Sequence, residues 1–374
     1  MKKSIVGLCV IIALSGFMNI PLVIAGGGDG LTLTEVNNVD DAIHAVNPAD
    51  KATVVLANDL VYEYYNNYDW ENSDITPYYR HEDIYMPEYV TLQWSDAGAD
   101  YYIARISRNE NMSDSESYII ISENVELRNL FTDTTYYWQI EAVTGAVHKM
   151  SPIYSFYAAE SPRTIFIEGV NNTRDAGGKM AADGYRMKEG MFYRGSRADD
   201  ITDAGREHAV CEFGIKTELD IRMPKEQLDS SAFGEDVNYV AVDGPYYTQI
   251  FQEQYSEALA TEIKTFAEPD NYPIYAHCAA GRDRTGTIAM LIEGLLGVDK
   301  NTILMDYQLS VFSRLGTYDD NLAIYGNALD TYEKIEEKYG ADTFSENVER
   351  FMLSIGVTEA EIASIRSIML EEVK

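Results

Sequence analysis

Cysteine is scarce: Cys9, Cys211 and Cys278 are the three in 374 residues. Three cysteines cannot build a disulfide framework, so stability must rest on a packed core. Positive charge is scarce as well, with 29 Lys and Arg against 61 Asp and Glu and a formal net charge of −32. That balance argues against nucleic acid and anionic membrane surfaces as general partners, and it reads first as a well-solvated exterior. The five histidines, at positions 44, 81, 148, 208 and 277, form no metal-ligand spacing, so no metal site and no cofactor are expected. Long apolar runs are missing too. Ile5 to Leu14 is apolar, but Gly16, Asn19 and Pro21 interrupt it before it reaches the roughly 20 residues that span a bilayer.

That interrupted run, preceded by Lys2 and Lys3 and followed by Val23-Ile24-Ala25 before Gly26, reads as a signal peptide over 1–25 and predicts a secreted protein. No membrane segment would remain after cleavage. Cys9 lies inside the apolar part of the signal, so the mature chain would keep only Cys211 and Cys278. The hydrophobic share of 46% supports packed cores, and the length allows two or three domains. Many of the 28 tyrosines lie before residue 160, where half-buried aromatic segments suit strands.

Residues 26–77 read as a leader or linker, with one apolar run from Thr53 to Ala57. From 78 to 160 the pattern is short alternating strands: Val90 to Trp94, Tyr101 to Ser107, Tyr118 to Ser122 and Tyr136 to Val143, separated by turn residues. Several such strands at short spacing predict an all-β sandwich. The details resemble a fibronectin type III domain. Trp94 sits where that family places its core tryptophan, and Leu130, Thr134 and Tyr136 resemble its tyrosine corner. The resemblance implies that Tyr136, Trp138, Ile140 and Ala142 share the inward face. Such a module would bind another protein or a surface.

Ser161-Pro162-Arg163 marks a junction, and residues 161–374 change to alternating strands and helices. Strands are expected at Gly214 to Ile221, Val237 to Val242 and Tyr272 to Ala276. Helices are expected at Thr248 to Ala267 and Thr285 to Leu296, with a capping box at Thr358 opening the last one. This alternation predicts an α/β domain with a central, mostly parallel sheet flanked by helices.

Between an expected strand and an expected helix lies His277-Cys278-Ala279-Ala280-Gly281-Arg282-Asp283-Arg284-Thr285-Gly286. A loop at such a junction turns backbone N–H groups into one concavity, and the helix N-terminus adds positive potential. Gly281 allows backbone conformations other residues resist. Arg284, six positions after Cys278, can grip two phosphate oxygens with a planar fork. The same field stabilises a thiolate at Cys278. A thiolate attacks phosphorus, amides and Arg284 hold the equatorial oxygens, and water hydrolyses the phosphocysteine.

This segment carries the His-Cys-x5-Arg-Thr-Gly signature and resembles the protein tyrosine phosphatase superfamily. Residues 164–374 resemble more narrowly the bacterial secreted family that also hydrolyses phosphoserine and phosphoinositides. Asn171 to Gly178 looks like its Asn-x-Arg-Asp-x-Gly-Gly motif, Phe192 to Ser196 like its Tyr-Arg-Ser strand, and Leu219 to Arg222 like its Asp-Leu-Arg strand. Asp306 to Ser310 matches its helix after the loop. That family has Lys-Asp where this chain has Arg282-Asp283, a departure that bears on substrate preference. The resemblance implies Cys278 as nucleophile, residues 278–284 as the phosphate-binding loop, and Asp283 as general acid. Asp243, after the strand Val237 to Val242, is the alternative acid, where dual-specificity enzymes place theirs.

Bland roles come first for the supporting residues. Arg174 and Asp175 would brace the loop or cap a turn. Asp220 and Arg222 would contact substrate or pair with neighbours. His277 would orient the cysteine backbone, and Thr285 would bond Cys278 or cap the helix. Cys211 would be a buried small hydrophobe, with a disulfide to oxidised Cys278 as a redox option. Three functions remain open: a phosphatase for phosphoproteins, one for phosphoinositides or inositol phosphates, and a binding protein with a vestigial phosphatase domain.

Overall fold

Strand alternation and helical periodicity segregate in the computed structural model, which describes residues 22–23, 39, 42–78, 84–313 and 326–373. They fall into two units, each assembled from two stretches of chain. The first unit takes Met1–Leu56 and Glu88–Ser161, and the second Ala57–Pro87 and Pro162–Lys374. Apart from Leu22 and Val23, the expected signal peptide lies outside the described residues.

The first unit is built of strands β1 (Leu22–Val23), β2 (Ala45–Asn47), β3 (Ala52–Val54), β4 (Val90–Trp94), β5 (Tyr101–Ser107), β6 (Glu116–Ile120), β7 (Asn124–Leu127), β8 (Thr134–Thr144), β9 (Val147–Met150) and β10 (Tyr154–Ala158). One sheet runs β1-β6-β5-β8-β10-β3 with β9 on β8, and a smaller one runs β2-β4-β7. The pairing is antiparallel except for β3 on β10. Period-two burial sets which side chains meet. Trp94, Tyr102, Ala104, Trp138, Ile140 and Phe156 are all buried in one core that draws on both sheets. On β8 the inward residues are Tyr136, Trp138, Ile140 and Ala142. The N–H of Phe131 donates to the Tyr136 hydroxyl at 2.7 Å, which ties the turn before β8 to the strand.

The stretch expected as leader, 26–77, is divided. Residues up to Leu56 supply β2 and β3 to the first unit, and Ala57 onwards belongs to the second. There it forms helix α1 (Asp59–Asn67), capped by the Asn58 side chain on the Leu60 N–H.

The second unit centres on a five-stranded sheet ordered β11 (Arg174–Asp175), β13 (Phe192–Gly195), β16 (Ile274–His277), β14 (Thr217–Asp220), β15 (Asn238–Ala241). All neighbours are parallel except β11 on β13. Two further strands, β12 (Tyr185–Met187) and β17 (Leu370–Glu372), pair separately. The central β16 is wholly buried, and its residues alternate between cores. Ile274 and Ala276 join the core formed with the large helices, while Tyr275 joins the core with Ile165, Tyr193 and Phe213. Helices α2 (Asp203–Glu207), α3 (Ser256–Thr265), α4 (Asp283–Leu296), α5 (Lys300–Leu309), α6 (Gly326–Tyr339), α7 (Phe344–Ser354) and α8 (Glu359–Met369) complete it.

The expected helix from Thr248 to Ala267 is shorter than its periodicity suggests. Gln252 takes an extended ψ of 126°, which splits the segment into two 3-10 turns before α3. The register aligns Gly195, Asp220 and His277 across three strands, with Ala241 beside Asp220. The carboxyl ends of the parallel strands therefore open on one edge, the usual place for a site in such a sheet.

Described residues within 57–78, and Ile84 beyond them, meet α5 and the turn after it. Tyr64, Tyr68 and Tyr78 cluster around Phe312 through Tyr64, and the Tyr64 hydroxyl donates to Gln308. The Trp70 N–H donates to Asn301 at 2.9 Å and the Ile84 N–H to the Phe312 carbonyl at 3.1 Å.

Candidate active site

The loop from Cys278 to Arg282 links the carboxyl end of β16 to the first turn of α4. Gly281 has φ +73°, and a Cβ there would come 2.3 Å from the Gly195 carbonyl oxygen. Both facts require glycine. The loop carbonyls are held from behind. Ala279 accepts from the Arg197 N–H at 3.3 Å, Ala280 from Asn172 Nδ2 at 2.9 Å, and Gly281 from Arg194 at 3.0 Å. In a trans peptide the N–H points opposite to the preceding carbonyl. The amides of Ala280, Gly281 and Arg282 therefore face the other way, and with the start of α4 they form an anion-binding concavity. Cys278 heads this loop and is buried.

A buried charge cluster holds those braces. Asp306 of α5 accepts from Arg174 at 3.0 Å and from Arg194. Arg174 also reaches the Asp306 carbonyl, Ser310 and the side-chain oxygen of Asn172. Lys179 bonds Glu293 at 3.0 Å and lies 3.4 Å from Asp306. Burial alone would push Asp306 up, but Arg174, Arg194 and Lys179 outweigh it and hold the carboxyl far below the usual range. Glu293 moves the other way: burial pushes it up to about 7, with Lys179 opposing. Burial pushes the Tyr85 phenol above its ordinary range, and its ring lies 5.6 Å from the Arg174 guanidinium.

Arg284 donates Nε–H to the Gly244 carbonyl at 2.9 Å, and its guanidinium lies 5.3 Å from the Tyr246 ring. Its terminal nitrogens make no hydrogen bond among the described residues, so the fork is available for two anion oxygens. Glu262 backs this arrangement: a Cβ on Gly244 would meet its carboxyl oxygen at 2.6 Å. Burial pushes Glu262 well above the carboxylate range, with Arg284 pulling down.

The two candidate acids differ in surroundings. Asp283 Oδ1 accepts from Arg282 Nε at 3.0 Å, from the Tyr307 hydroxyl at 3.3 Å and from the Tyr247 hydroxyl. Asp243 is exposed and makes no hydrogen bond among the described residues; it adjoins Gly244, whose carbonyl holds Arg284.

The remaining sequence candidates, Thr285 excepted, are occupied. Asp175 accepts from Arg163 at 2.6 Å and from the Gly177 and Gly190 amides, which makes it a turn brace. Asp220 takes the Arg222 fork at 2.7 to 3.1 Å and the Tyr239 hydroxyl at 2.8 Å. Arg222 also reaches Asp199 at 2.8 Å. His277 spans Glu218 at 2.8 Å and the Cys278 carbonyl at 3.3 Å. Thr285 is buried, and its hydroxyl has no partner among the described residues.

Cys211 corrects the sequence expectation. It is exposed, on the turn His208–Glu212. That turn precedes β14, where Lys216 bonds Pro273 and Thr217 pairs with Ile274. Both cysteines are free thiols in this structure, Cys211 exposed and Cys278 buried.

The sequence marks Asn172, Arg194, Asp306, Tyr307 and Ser310 only as members of motifs, without individual roles. It gives no role to Glu218, and nothing in it marks Tyr247.

Residues 165–371 match the model of the tyrosine phosphatase family. The chain belongs to that family. It is 28% identical over 165 residues to a Cupriavidus necator protein named as a tyrosine-protein phosphatase, covering 37% of this chain and 59% of that one. A match to the tyrosine-protein phosphatase of Nostoc commune is 26% identical over 153 residues, covering 32% and 48%. The chain thus spans 59% or less of these two relatives' length. Among solved structures, the core catalytic domain of the yeast PP-IP phosphatase SIW14 aligns at 20% identity and a TM-score of 0.26, over 40% of this chain and 88% of that one. The second unit is a protein-tyrosine-phosphatase-like domain.

Proposed function

We propose that the protein is a phosphoric monoester hydrolase that works through a phosphocysteine on Cys278. The observation that carries this reading is the loop itself: a buried cysteine at its head, carbonyls 279–281 held from behind, and at the start of the following helix an arginine held by its Nε with its terminal nitrogens free among the described residues. Cys278 attacks phosphorus, the amides and Arg284 hold the equatorial oxygens, and Asp283 delivers the proton. Asp243 is the alternative acid. Thr285 has a hydroxyl free to assist hydrolysis of the intermediate.

The preferred substrates are phosphoproteins, phosphotyrosine first with dual specificity open. Polyanionic inositol phosphates fit less well, because the Arg282 Nε is engaged by Asp283 and exposed Asp243 and Asp200 add negative charge near Arg284 and Arg197. The first unit is read as a fibronectin type III-like module that binds a protein or surface. Its Trp94 core and the Tyr136 hydroxyl contact support that reading. Export through a signal peptide over 1–25 is part of the same proposal.

The deciding experiment is Cys278→Ser. It is expected to abolish turnover of p-nitrophenyl phosphate and of phosphotyrosine peptides while vanadate binding persists. Unchanged turnover in that variant overturns the reading.

A further inference from the structure

The mechanism so far leaves two buried tyrosine hydroxyls beside the loop unused. Tyr247 and Tyr307 touch each other through their hydroxyls, and both reach Asp283. Burial pushes both phenols well above their ordinary range, so each keeps its proton and can donate. They come from different elements. Tyr307 lies on α5, and Tyr247 opens the 3-10 turn after β15.

Tyr247 is held in place with unusual firmness. Its φ is +51°, in the left-handed region that an aromatic residue seldom occupies. Such a conformation persists only where surroundings fix it. Here its N–H donates to Thr287 Oγ1 at 2.9 Å, and that hydroxyl donates back to the Asp283 carbonyl at 2.9 Å. The Tyr247 main chain is therefore pinned to the same helical turn that its hydroxyl addresses.

The donors converge on one oxygen. Arg282 and Tyr247 donate to Asp283 Oδ1, the single Tyr307 hydroxyl proton serves either Oδ1 or the Tyr247 oxygen, and no hydrogen bond reaches Oδ2 among the described residues. We propose that Tyr247 and Tyr307 are positioning residues for the acid: by occupying Oδ1 they make Oδ2 the oxygen that carries and delivers the proton. This rests on the reading of Asp283 as the acid.

In the step itself the Cys278 thiolate forms the Sγ–P bond. The P–O bond to the leaving group breaks, its electron pair stays on the leaving oxygen, and the Oδ2 proton passes to that oxygen. The carboxylate left behind already holds its donors on Oδ1, so its new charge is met without rearrangement. The groups facing Asp283 are Arg282 from the loop, Tyr247 from the turn after β15 and Tyr307 from α5. The benefit is largest where the leaving group most needs a proton, as with an alkyl oxygen.

The test compares kcat for p-nitrophenyl phosphate and for a phosphoserine peptide in the full chain. Tyr247→Phe and Tyr307→Phe are each expected to raise the ratio of the two about tenfold, with KM unmoved. Asp283→Asn should raise it at least as far, and adding Tyr247→Phe to it should change nothing more. Should Asp283→Asn raise the ratio while both phenylalanine variants slow the two substrates equally, the positioning role is wrong and the acid stands. Should Asp283→Asn leave the ratio unchanged, the acid assignment fails and this inference with it. Tyr307→Phe keeps the test decisive if Tyr247→Phe does not fold.

Discussion

Arg194 donates to the carbonyl oxygen of Gly281 at 3.0 Å while its other terminal nitrogen is held by Asp306. One guanidinium thus fixes the loop after β16 to the sheet that carries Arg194 and to the helix that carries Asp306. A lysine ammonium is a point charge and cannot hold both partners at a fixed angle. Arg194→Lys is expected to lower kcat on p-nitrophenyl phosphate by roughly 100-fold through loop misplacement. Retained activity would mean that the loop holds its own shape.

Gly281 gives a sharper test of the same loop. A methyl group at φ +73° would meet the Gly195 carbonyl oxygen at 2.3 Å, a main-chain atom of a central strand. Gly281→Ala should cost more than about 1 kcal/mol in stability and remove most activity. Chemical denaturation beside steady-state assays checks both; a fully active Gly281→Ala enzyme would contradict the described loop.

The buried carboxylates give a pH dependence with a definite sign. Glu293 is raised by burial to about 7 in the folded protein, against about 4.3 unfolded. Between those values the folded state binds the extra proton, so this group's contribution falls as pH rises through the window. Asp306 is depressed, and its contribution is lost only in acid, below about pH 4, outside that window. Denaturation at pH 5 and pH 8 should therefore show Glu293→Gln gaining on the wild type as pH rises. An equal difference at both pH values would count against a buried, proton-retaining Glu293.

The tyrosine-rich segment makes a prediction about stability. Tyr64 is buried against Tyr68, Tyr78 and Phe312. Tyr64→Ala should destabilise the catalytic unit by about 3–5 kcal/mol, although it lies outside residues 165–371. A melting temperature of that unit unchanged by the substitution would detach 57–87 from it.

The candidate loop was legible because its residues are consecutive. Cys278, Gly281 and Arg284 share one loop, and the backbone fixes their relation whatever the rest of the chain does. The strands were legible for the same local reason: alternation at Val90 to Trp94 and Tyr101 to Ser107 follows burial on one face. Long-range relations were not legible. Asp306 meets Arg194 across 112 positions, and Tyr247 meets Tyr307 across 60. The segment 57–87 carries no clear periodicity, since its helix buries only Val61 and Tyr64. Its aromatic rings find partners that tertiary structure alone brings near. Cys211 looked like a core residue by type, yet the turn carrying it leaves it exposed.

The chain changes unit after Leu56, after Pro87 and after Ser161. Neither unit can be excised with a single cut. A gene fragment that begins at the Ser161-Pro162 junction would encode the signature loop yet omit the aromatic collar around Phe312. In inheritance the two units are interlaced rather than strung in series, so recombination at one boundary cannot exchange the amino-terminal module without also dividing the enzyme.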